Sequence, residues 1–107
     1  MKSTHYQSAH RRSWEYYGID KKRYNQLVDY IRSGRYASLT SSAAHRANEM
    51  IAEYLLFSIR ENKSYDDLRA KWELKEMEQI PYCRTDFYGI RRYFFNILDK
   101  ELRRIGK

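Results

Sequence analysis

Pro81 is the chain's only proline, and it stands just before the longest helical pattern in the sequence. In "IPYCRTDFYGIRRYFFNILDKELRRIG", residues 80–106, apolar positions recur at helical spacing. Phe87, Ile90, Phe94, Ile97, Leu98, Leu102 and Ile105 fall on one stripe. The opposite side carries Thr85, Gly89, Arg92, Asn96 and Arg103, flanked by Tyr88 and Phe95. The segment is therefore expected to be a two-sided rod, apolar toward its own core and cationic toward the outside. No alternating strand pattern or hairpin dipeptide occurs anywhere. The expected fold is all-α, a small bundle of about four helices ending in a long C-terminal one.

Three further helices are predicted upstream. In "YYGIDKKRYNQLVDYIRSGRY", Asp20 is a good N-cap, and Ile19 with Tyr24 suits a hydrophobic staple. Tyr24, Leu27, Val28 and Ile31 form its apolar face, and Gly34 lies where a left-handed residue is wanted. "SLTSSAAHRANEMIAEYLLFSIREN" is expected to be one helix with caps offered by Thr40, Ser41 and Ser42. Its apolar arc of Ala44, Ala47, Met50, Ile51, Tyr54, Leu55, Phe57 and Ile59 is broad enough to mark the most buried helix, and Asn62 is its stop. "KSYDDLRAKWELKEMEQIP" opens on Ser64 with Asp67 three positions on, a capping signature, and is expected to end before Pro81.

At 107 residues the chain fits a single helical domain spanning 1–107, with 1–15 as a polar N-terminal arm and 64–107 as a helix-turn-helix region. Arg11, Arg12 and Trp14 could let the arm dock on a partner. Eleven tyrosines against four phenylalanines point to shallow cores and polar interfaces, where the ring buries while the hydroxyl stays bonded. The net charge of +7 is uneven. Residues 1–35 hold eight Lys/Arg against three acids, net +5; residues 36–83 hold six against eight, net −2; residues 84–107 hold seven against three, net +4. Two basic ends around a non-basic middle favour an anionic partner, most often nucleic acid.

A capped helix, a short connection and a helix with exposed arginines is the order of a helix-turn-helix, whose second helix lies in the major groove. The N-terminal half of that helix supplies Arg84, Thr85, Tyr88, Arg91 and Arg92, with Asn96 on the same outward side. Arginine suits guanine, whose two acceptors match its fork. Gly89 on an exposed face suits close approach of a sugar-phosphate backbone. Lys63, Ser64 and Tyr65 begin the preceding helix, whose free N–H groups suit a phosphate, although Asp66 and Asp67 would repel one.

"SYDDL" followed by "IPYCRTDFYGIRRYFFNIL" resembles the C-terminal helix-turn-helix of phage-encoded transcription regulators of the RinA/ArpU kind, which are similar to the sigma-factor domain that reads the −35 promoter element. "YYGIDKKRYNQLVDYI" also resembles the opening of short phage proteins in that group. The resemblance implies sequence-specific binding of double-stranded DNA in phage or prophage gene control, with Arg84, Thr85, Tyr88, Arg91 and Arg92 contacting DNA. It implies that Ser64, Tyr65 and Leu68 anchor the supporting helix, that a homodimer reads paired half-sites, and that the protein works in the host cytoplasm at the nucleoid. "RAKWELKEMEQ" makes the supporting helix and turn longer than in a minimal motif of this kind, and Tyr82 and Cys83 stand where serine or glycine is commoner.

Catalytic signals are nearly absent, so no enzyme and no cofactor are expected. His5, His10 and His45 share no metal spacing with Cys83, which is expected to be buried in a turn. A lone cysteine forms no disulfide within the chain, and no run approaches the ~20 apolar residues of a membrane span, so no membrane partner is expected. The rival function is a small phage-like inhibitor that binds a host protein, such as a defence nuclease or RNA polymerase, through an arginine and aromatic surface. Tyr36, Tyr54 and Trp72 are candidates for the homodimer interface if exposed.

Overall fold

The computed structural model describes residues 12–107. The readings of His5, His10, Arg11 and most of the arm lie outside the described residues. Among the described residues the chain is all-helical: α1 Trp14–Tyr17, α2 Lys21–Ser33, α3 Ala37–Ala47, α4 Ala52–Arg60, α5 Tyr65–Glu73 and α6 Arg84–Arg104. No described helix is long and apolar enough to cross a membrane.

The two additional helices have local causes. Residues 12–15 are not a loose arm. Ser13 accepts the Tyr16 N–H and Gly18 closes the turn at φ 72, so "SWEYYG" folds as one capped turn, α1. The expected second helix is split at Asn48. Its side-chain Oδ1 accepts the N–H groups of Met50 at 2.9 Å and Ile51 at 3.2 Å, diverting them from the helical ladder. Its Nδ2 donates to the Tyr82 hydroxyl at 2.9 Å. The break rotates the face: Met50, expected in the core, is 68% exposed, while Ala52 and Leu56 are buried. Helix α3 starts earlier than expected, at Ala37, and Thr40 is a buried interior residue rather than a cap.

Other boundaries follow the expected chemistry. Asp20 accepts the Arg23 N–H at 2.8 Å, and Gly34 ends α2 at φ 73. Asn62, at φ 53, ends α4 with the Lys63 N–H on the Ser58 carbonyl and its own on Ile59, a Schellman motif. Ser64 and Asp67 form the reciprocal capping box of α5. Helix α5 stops well before Pro81, because Lys75 adopts φ 65 and Glu76 N–H closes on the Lys71 carbonyl.

Helix α6 is the axle. It packs most extensively on α3 and also on α2 and α5, while α4 packs on α2 and α3. Phe87, Phe94, Phe95, Leu98 and Leu102 are fully buried, each side chain contributing about 1.5–3 kcal/mol. Most of the expected stripe is core; Ile105, at the C-cap, is half-exposed. A buried ion pair joins α2 to α6. Asp99 on α6 accepts the Arg23 Nε–H at 2.6 Å, and Arg23 also donates to the Lys107 carbonyl at 2.9 Å.

Candidate nucleic-acid interface

The outward face of α6 is only partly outward. Phe95, Gly89 and Asn96, expected on or beside it, are buried. The cause is α1. Trp14 sits edge-on to Phe95 at 5.5 Å and to Tyr24 at 5.2 Å, forming an aromatic lid. The Arg91 guanidinium lies over Phe95 at 5.2 Å and donates to the Tyr24 hydroxyl at 3.0 Å. Arg92 is half-buried, its Nε–H donating to the Arg12 carbonyl at 2.8 Å. Both arginines use part of their donor set holding α1 and α2 against α6, and no carboxylate pairs with either among the described residues.

The start of α5 is closed. Its first N–H, from Tyr65, donates to the Tyr88 hydroxyl at 2.9 Å, and the capping box takes the Asp67 N–H. Few free N–H groups remain for a phosphate, so the anion site expected at Lys63, Ser64 and Tyr65 is occupied by the protein itself. Tyr65 is buried; its hydroxyl donates to the Tyr82 carbonyl at 2.6 Å, and its ring lies against Trp72 and Phe87. Burial pushes its phenol above the ordinary value. Tyr65 and Tyr88 therefore pin α5, the 74–83 connection and α6 together. Lys63 stays exposed.

The start of α6 differs. Its N-cap is Cys83, which makes no side-chain cap, and Arg84 and Thr85 are exposed. Arg84 is ion-paired to Asp66, a contact that holds its guanidinium above the ordinary value. Cys83 is exposed rather than buried, with its Sγ–H directed at Asp86 Oδ2, 3.3 Å away. Tyr36, Tyr54 and Trp72 are half-buried against the core.

Beside the lid lies a cleft of about 450 Å³ lined by Arg12, Tyr16, Tyr17, Tyr93, Asn96 and Lys100. The Arg12 guanidinium covers the Tyr16 ring at 4.7 Å, and Tyr16 meets Tyr17 edge-on at 5.6 Å. Burial raises the Tyr17 phenol above its ordinary value, Tyr93 adds to this, and Arg92 and Arg12 pull it back. At neutral pH it is a protonated hydroxyl that can donate and accept. On the far side of α1 a smaller cleft is lined by Trp14, Ile19, Asp20, Lys21, Tyr24 and Arg91. Among the described residues no three of His, Cys, Asp and Glu converge as metal ligands.

The structure thus separates the residues grouped by sequence. Arg91, Arg92 and Asn96 lie beneath or beside α1, while Arg84 and Thr85 stand at the helix start. Tyr16, Tyr17, Tyr93 and Lys100 were missed, because their association depends on the fold of "SWEYYG", a motif too short to weigh heavily. Compared with protein families, curated proteins and solved structures, the chain gave no match.

Proposed function

We propose that the chain binds nucleic acid, as a sequence-specific double-stranded DNA-binding regulator of phage or prophage transcription. One observation supports this above the others. The first cationic stretch, of which the described residues 12–35 hold six Lys/Arg against three acids, folds against the second, net +4 in residues 84–107, rather than apart from it. Arg12 meets Arg92, Tyr24 meets Arg91, and Arg23 meets Asp99. Arg12, Arg92 and Lys100 then gather about one face of α1, and Lys21 and Arg91 line the cleft on its other face. Such a field attracts phosphates and makes affinity fall steeply with salt.

The contact mode differs from a helix laid lengthwise in the groove. With α1 covering the middle of its outward face, α6 would enter by its N-terminal end. Arg84 and Thr85 would face base edges, once Arg84 exchanged Asp66 for DNA, and Arg91 and Arg92 would hold phosphates. Selection of bound duplexes from a random pool tests this. A recovered motif, whose binding Arg84→Ala weakens by roughly 1–3 kcal/mol while random duplexes are unaffected, is the expected result. An unenriched pool contradicts sequence-specific binding.

A second reading has its own observation. On the net −2 stretch, Tyr54, Phe57 and Met77 line a cleft of about 530 Å³ together with mixed charges, and Phe57 is 36% exposed. That surface suits a host protein, including RNA polymerase, and would serve an inhibitor or a polymerase-bound regulator. Salt-insensitive binding to one host protein, without DNA binding, would favour it.

A further inference from the structure

The cleft between α1 and α6 contains an unmet chemical need. Asn96 is 9% exposed and lines the cleft, and its Oδ1 is shielded from bulk water without a hydrogen-bond partner. Buried polar atoms are nearly always paired, so this oxygen, in a residue that lines the cleft, is an exception. Among the described residues the two other unpaired buried atoms, Arg23 Nη2 and Thr40 Oγ1, do not border this cleft. Around Asn96 stand three tyrosine rings and two cations, Arg12 and Lys100. Tyr16 is 66% exposed, with the Arg12 guanidinium over its ring.

We propose that this cleft holds one unpaired nucleotide of a nucleic-acid strand, its base against the tyrosine rings and the Asn96 amide, its phosphate on Arg12 and Lys100. Aromatic rings beside cations are the combination that binds single strands, because every base has a face to stack. An asparagine amide offers an acceptor beside a donor, which matches the amine and ring nitrogen of a base edge. A base inside a duplex has its face stacked and its pairing edge taken, so the cleft selects a nucleotide that is already unpaired or extruded. The inference rests on the nucleic-acid reading of this side but not on its preference for a duplex, which it replaces with a preference for unpaired nucleotides.

The test uses the full chain and a labelled twelve-nucleotide single DNA strand, the same sequence as a duplex, and deoxyadenosine monophosphate. The single strand is expected to bind more tightly than the duplex at equal salt. Tyr16→Ala, an exposed position whose loss should leave the fold intact, is expected to weaken single-strand binding about 5- to 150-fold, the range of one lost stacking contact. Asn96→Leu is expected to weaken it as well while raising the melting temperature, an outcome that loss of a structural residue would not give. Unchanged single-strand affinity in both variants overturns the inference. Tight duplex binding with no single-strand preference overturns it too, and leaves the duplex-binding reading standing. Failure to bind either form removes both. Binding of the mononucleotide alone, with the same sensitivity to the variants, contradicts a strand as the ligand.

Discussion

The two flanks of α6 are both covered, and they are covered differently. Toward α2 and α3, Phe87, Phe94, Leu98 and Leu102 are sealed, and Asp99 is satisfied by Arg23 and Arg103. Toward α1, half-buried tyrosines and arginine stems leave a cleft and a stranded amide oxygen at Asn96. The first flank is closed by apolar area and a paired charge, although Arg23 Nη2 is also buried there without a partner. The second is closed by long polar side chains whose heads still face water. Burial on the first flank signifies stability, and burial on the second leaves chemistry available to a partner.

Substitutions should separate the flanks. The largest effect is expected from Asp99→Ala, which strands Arg23 inside the sealed side at a cost of roughly 3–5 kcal/mol in denaturant melts. Replacing both partners, Arg23→Met with Asp99→Leu, should recover most of that loss; a double variant no more stable than the single would show that the ion pair is not the cause. Asn48→Ala comes next, at roughly 1–3 kcal/mol, because it frees the Met50 and Ile51 N–H groups and the Tyr82 hydroxyl at once. On the open flank the sign reverses. Asn96→Leu should raise stability by about 1 kcal/mol, since an unpaired buried oxygen is removed. A loss there would mean that the amide is satisfied in solution.

The smallest effect lies outside both flanks. His45 bonds Glu49 at 2.9 Å and Glu53 at 3.3 Å, and the Glu49 bond is the chief cause that raises its pKa above the ordinary 6.5. A raised folded value stabilises the protein fully below the unfolded pKa, and the contribution fades as pH rises through the folded value. The difference in Tm between the parent chain and His45→Gln should therefore be greatest below about pH 6.5 and shrink at higher pH. The opposite trend would show that the histidine is not held by these carboxylates.

The core flank was legible in the sequence, and the other was not. A 3.6-residue period marks what faces inward, and Phe87, Ile90, Phe94, Leu98 and Leu102 follow it. The same wheel places Phe95 and Asn96 outside because it treats α6 as packed on one side only. A second layer, α1, adds burial that no single-helix periodicity encodes. Caps were readable where the residue type signals them, at Asp20 and Ser64 through a side-chain acceptor and at Gly34 and Asn62 through tolerance of the left-handed region. They were not readable where a residue without that tolerance adopts it, as at Lys75, or where Asn48 outcompetes the helix ladder from its middle. The charge pattern of basic ends and a non-basic middle was visible from the start. That residues 12–35 meet residues 84–107 in space required the Arg23–Asp99 and Arg12–Arg92 contacts.

The central claim is that the surface where α1 and α2 meet α6 carries nucleic-acid binding. The most direct test is the salt dependence of DNA binding by the parent chain and by an Arg92→Gln, Lys100→Gln double variant. The parent should bind at low salt with affinity falling linearly on a log–log plot, and the double variant should bind more weakly with a slope shallower by roughly one to two. Identical curves for the two proteins, or no binding at low salt, would contradict it.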